Sequence, residues 1–157
     1  MCFSIGVFVS TIDEKSFEFF KLFARTEYSL KAAGFHCGNG NATANWENFA
    51  LSIDEKFTSV TTDGFKKAVK YIKEHPPKKQ IISNDSIEWS TTLPQSKCEA
   101  DLILLYIRRV RNNLFHGGKF NGHWFEPERS EELITHSITI LHKAVSLSVN
   151  VKTAFGE

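Results

Sequence analysis

The chain lacks any apolar run near the ~20 residues that a bilayer-spanning helix needs. Its longest apolar stretches, Ile5–Val9 and Leu102–Ile107, are far shorter, so no membrane partner is expected. Cysteine is scarce: Cys2, Cys37 and Cys98 sit at wide, unrelated spacings, which gives neither an even disulfide framework nor paired metal ligands. They are expected as reduced thiols, and no metal or other cofactor is expected. Met1–Ser10 is apolar but has no Lys or Arg ahead of the apolar stretch, and it runs into Asp13 and Glu14. That does not describe a secretory signal, and a cytoplasmic location is the expectation. With only 9 Gly and 4 Pro, collagen-like and low-complexity architectures are excluded. Gly34, Gly38 and Gly40 lack the Gly-Lys-Ser/Thr ending of a phosphate loop. An excess of one charge is missing as well: 19 Lys+Arg oppose 18 Asp+Glu, for a net charge of +1. Any polyanion site must therefore be a local patch.

What is present is an ordinary folding composition, 41% hydrophobic and 24% charged over 157 residues, which predicts one domain over 1–157. Thr11 and Glu14 match a capping box, and Phe17, Phe20, Phe23 and Ala24 follow at helical spacing, predicting a helix from Ile12 to Ala33 with Gly34 as its stop. Asn45 is the predicted N-cap of a second helix burying Trp46, Phe49, Ala50, Ile53 and Phe57. A shorter helix from Asp63 must end before Pro76. Residues 78–95 read as a connector with extended pieces at Gln80–Ser83. Ser96 and Glu99 form a second capping-box pattern ahead of a long central helix that ends at Gly117 and Gly118. A last helix starts between Glu126 and Ser130 and carries Ile134, Ile138, Leu141, Val145 and Ser148. Sustained β-branched alternation is absent, so the predicted fold is all-α, an antiparallel helical bundle of four main helices plus a short one.

From Leu102 to Phe125 there is no Asp or Glu, while Arg108, Arg109, Arg111 and Lys119 carry positive charge and His116 and His123 titrate near neutrality. Such a segment has no acids to hold Mg²⁺. A basic run at a helix C-terminus also complements the helix dipole, at ~0.3–1 kcal/mol per charge. Crowding so many polar groups beside a core-forming half-helix, however, calls for partners or a purpose. Arg108, Asn112 and His116 share one stripe, and Asn112 can reach His116 to orient its imidazole. Arg111 lies about 140° round the helix from His116 and meets it only where the helix ends or across a second subunit. Lys66, Lys67, Lys70, Lys73, Lys78 and Lys79 form a second basic group, read as a solvated face and secondarily as an RNA-tracking one. Trp124 is read as a base-stacking candidate or an anchor of the last helix.

The segment Arg111-Asn112-Asn113-Leu114-Phe115-His116, on the penultimate main helix of an all-α chain and followed by two glycines, resembles the signature of the HEPN (higher eukaryotes and prokaryotes nucleotide-binding) family. The resemblance spans most of the chain, although only the central helix carries the motif. It implies a homodimeric, metal-independent endoribonuclease of toxin, phage-defence or RNA-processing type. Arg111 and His116 of both copies would converge, with Asn112 orienting the pair and Arg108, Arg109 and Lys119 contacting RNA. The products would be a 2′,3′-cyclic phosphate and a 5′-hydroxyl end. The family allows other spacings, so Arg109 stands as a competing catalytic arginine. Toxins governed by a nucleotidyltransferase antitoxin carry a tyrosine two residues after the histidine. Here that position is Gly118, although an antitoxin or another regulatory protein remains among the expected partners. The alternatives are a non-catalytic HEPN module that binds RNA or nucleotides or acts as a dimeric adaptor, and an interaction protein whose apolar helix serves only an interface.

Overall fold

The computed structural model describes residues 11–115, 119–120, 123–124 and 127–156. The first helix, α1 (Thr11–Ala32), ends as expected at Gly34, which adopts φ +95°. The Gly34 amide donates to the Lys31 carbonyl (3.2 Å) and the Phe35 amide to that of Leu30 (2.8 Å). This paired C-terminal closure needs a residue free of Cβ strain at the left-handed position. The same turn drives Phe35 back onto the core, where its ring meets Phe49 edge-on at 5.5 Å.

Helix α2 (Trp46–Thr58) starts at Asn45, whose Oδ1 accepts from the Asn48 amide at 3.0 Å. All five apolar residues assigned to its inner face are buried. Helix α3 (Asp63–Glu74) stops at His75, ahead of the two prolines. The segment read as a connector is instead an antiparallel hairpin of β1 (Lys79–Ser83) and β2 (Ser86–Ser90), with Ser83 paired to Ser86 at its tip. Asn84 (φ 50°) and Asp85 (φ 61°) make the turn, as expected of a two-residue hairpin loop whose left-handed positions Asn and Asp tolerate.

Helix α4 (Glu99–Phe115) occupies the middle, packed on α2 and touching α1, α3 and β1. The capping box expected from Ser96 and Glu99 is not how it begins. The Asp54 carboxylate, from α2, accepts the Ala100 amide at 2.9 Å, and Cys98 Sγ accepts the Asp101 amide at 3.4 Å. Glu99 instead pairs with Lys73 at 2.9 Å. Two-residue strands β3 (Lys119–Phe120) and β4 (His123–Trp124) follow and pair antiparallel.

The expected last helix is two helices, α5 (Pro127–Ser146) and α6 (Val149–Phe155). Ser148 belongs to neither, because its hydroxyl caps α6 by accepting from the Val151 amide. Helix α5 packs on α1, α3, α4 and α6. Arg25 clamps α6 onto α1, its guanidinium 4.2 Å from the Phe155 ring centre and donating to the Phe155 carbonyl. Between α3 and α5 the Tyr71 ring stacks on His75 (4.5 Å) and leans on His136 (4.7 Å). The architecture is mostly helical, roughly as the all-α expectation has it, with six helices and two small hairpins among the described residues. None of the described helices is long and apolar enough to cross a membrane.

Candidate nucleic-acid groove

Leu105, Arg108, Arg109 and Asn112 are spaced three and four apart, so one face of α4 presents them together. Opposite that face stands the β1–β2 hairpin, fastened at both legs. Asn113 Nδ2 donates to the Lys78 carbonyl just before β1 (2.8 Å), and the Arg109 guanidinium donates to the Thr92 carbonyl just after β2 (3.3 Å). Between hairpin and helix lies a groove of about 780 Å³. Among the described residues its lining brings together Arg108, Arg109, Arg111 and Lys79 with a single carboxylate, Glu27 of α1.

The charged groups are carried by an aromatic slab. Trp46 and Phe23, each 4% exposed, stack with ring centres 5.3 Å apart. The Arg108 guanidinium lies 5.9 Å from the Trp46 ring centre, and that of Arg111 lies 5.7 Å from Phe23. The indole N–H donates to Glu27 Oε1 at 3.1 Å, the kind of acceptor a buried indole needs. Arg111 is further held by Asn112, whose Oδ1 accepts from it at 3.0 Å, and by the Phe115 ring at 4.2 Å.

Burial pushes the Arg108 guanidinium below its ordinary value, against the opposing pull of Asp101, Glu27 and Glu47. A guanidinium stays charged through such a shift, so the effect is a partly desolvated cation whose electrostatic reach is enhanced. Its Nε is sealed from solvent without a hydrogen-bond acceptor among the described residues. Among the described residues no carboxylate forms an ion pair with Arg108, Arg109 or Arg111. Cations left unpaired in a groove of this size suit an anionic ligand.

Of the residues singled out from sequence, Arg108, Arg109, Arg111 and Asn112 converge on this one groove. The Asn112 Oδ1 accepts from Arg111. His116 lies outside the described residues. The same holds for the side chains of Lys119 and Trp124, whose backbones form β3 and β4. Lys70 and Lys73 are paired with Glu74 (3.8 Å) and Glu99 (2.9 Å), in keeping with a solvated face, while Lys79 turns to the groove. No group of three or more His, Cys, Asp or Glu side chains among the described residues is arranged to hold a metal ion.

Sequence reasoning assigned Trp46 and Phe23 to the core and passed over Glu27, Asn113 and the hairpin wall. The available signal was the indole itself, since a tryptophan on a buried face asks which acceptor takes its N–H. Compared with protein-family models, curated proteins and solved structures, the chain matches none.

Proposed function

We propose that the chain is a metal-independent endoribonuclease of HEPN type that works as a homodimer in the cytoplasm, in a toxin, phage-defence or RNA-processing role. The observation that carries this reading is the arrangement of Arg111. Its guanidinium is fixed by Asn112 and Phe115 on the last turn of α4, five residues ahead of His116, at an open groove lined by three further cations. In this mechanism His116 acts as general base on a ribose 2′-hydroxyl, or as acid on the leaving 5′-oxygen. Arg111 stabilises charge on the phosphoryl oxygens, and Asn112 orients Arg111. Arg109 is tied to the hairpin leg, which favours Arg111 as the catalytic arginine. Exposed Phe115 packs on Arg111, and its ring lies 5.7 Å from that of exposed Phe20. An apolar patch there supports pairing with a second copy beside the site.

The purified protein should cut RNA in the presence of EDTA, leaving 2′,3′-cyclic phosphate and 5′-hydroxyl ends, and should spare DNA, which lacks the attacking group. His116→Ala and Arg111→Ala should each abolish cutting without unfolding the chain, and retained cleavage in both variants refutes the assignment. A second reading, a non-catalytic module that binds RNA or nucleotides, is favoured by the groove being walled within one copy. Salt-dependent RNA binding without cut ends would select it.

A further inference from the structure

A cleft that only tracked phosphates would be weakened by an acid in its wall, yet Glu27 lines this one. Its carboxylate is built in. Oε1 accepts from the buried Trp46 indole, and Oε2 has no hydrogen-bond or ion-pair partner among the described residues. The same indole carries the unpaired Arg108 guanidinium on its face. One buried ring therefore holds an acceptor and a set of donors side by side, neither neutralising the other through an ion pair. Farther along the groove, Arg109 and Lys79 flank the hairpin legs.

We propose that this end of the groove is a base-reading subsite for guanine, in which Glu27 accepts from the N1–H and N2–H₂ edge, Arg108 donates to O6, and Arg109 and Lys79 take the phosphate. The choice of base follows from donor and acceptor order. Guanine alone sets two adjacent donors beside an acceptor. Adenine and cytosine turn a ring-nitrogen acceptor toward a carboxylate next to their amino group, and uracil flanks its single N–H with two carbonyls. A cavity of about 780 Å³ is ample for one nucleotide. The subsite rests on the nucleic-acid reading of the groove but not on cleavage.

Titration calorimetry of the full chain with GMP, AMP, CMP and UMP tests it. GMP should bind at least about tenfold more tightly than the other three, the discrimination that a bidentate base contact gives. Glu27→Gln keeps an oxygen for the Trp46 N–H but turns an amide NH₂ toward guanine's donors. The preference for GMP should then fall below about threefold while UMP binding, carried by phosphate, is retained. Glu27→Asp keeps the charge and withdraws it by one methylene, and should give an intermediate preference; circular dichroism melts establish that both variants fold. Equal binding of all four nucleotides to the wild type, or a guanine preference that survives Glu27→Gln, overturns the proposal. RNA cutting indifferent to guanosine would sink the base-reading subsite and leave the nuclease standing. Selectivity for GMP that depends on Glu27, in a chain that yields no cut ends, would do the reverse.

Discussion

Replacing Trp46 by phenylalanine separates the slab's packing from its polar role. The ring is 4% exposed, stacks on Phe23 at 5.3 Å and meets Phe49 edge-on at 6.4 Å. Phenylalanine retains part of that contact but is smaller and carries no N–H. The lost hydrogen bond to the half-exposed Glu27 carboxylate should cost about 1 kcal/mol, below the range for fully buried charged partners. The residual void adds about 1–2 kcal/mol. Together these predict a destabilisation of about 2–3 kcal/mol, or a fall in Tm of about 4–12 °C for a chain of this size. Circular dichroism melts of the wild type, Trp46→Phe, Glu27→Ala and the double variant close a cycle whose coupling should be about 0.5–1.5 kcal/mol. Additivity across the cycle would refute the idea that the indole holds the carboxylate. A Tm change in Trp46→Phe below about 2 °C would show that the slab is not tightly packed.

Two further outcomes follow from the packing around the groove and the α3–α5 interface. Burial pushes the His136 imidazole below its ordinary value, opposed by Glu132 (3.1 Å) and reinforced by Lys67. The unfolded chain therefore takes up this proton before the folded chain does. The contribution is fully present above about pH 6.5 and is lost as the pH falls below it. Melting curves across that range should be flatter for His136→Gln, and an unchanged slope would remove His136 as the cause. Asn113→Ala deletes the bond to the Lys78 carbonyl, worth about 1 kcal/mol, so amides of β1 and β2 should exchange about fivefold faster while those of α4 keep their protection. Equal acceleration in both would mean that the residue supports the whole fold rather than the hairpin leg.

Features written within a few residues of chain were legible in the sequence. The Asn45 cap and the Gly34 closure each need only a side chain or a φ angle acting on its own neighbourhood. The start of α4 was misread because its carboxylate cap comes from Asp54, 46 positions away, and no local pattern encodes that. The hairpin escaped because its strands have five residues each and Ile82, Ile87 and Trp89 remain exposed, so burial imposes no clear alternation. The Asn84-Asp85 pair was the sign of it. Within the candidate site the arginines and Asn112 were found because they share one helix. Glu27, Trp46 and the hairpin wall come from other elements, and only tertiary packing brings them to the same groove.

The two-legged fastening of the hairpin divides it into a fixed root and a free tip. Asn113 and Arg109 grip the chain at Lys78 and Thr92, whereas Asn84 and Asp85 stand at the opposite end of the ladder. Sequence exchanged or lengthened at the tip would leave the spacing of the guanidiniums on α4 as it is. The hairpin can thus take grafts at one end without retooling the other.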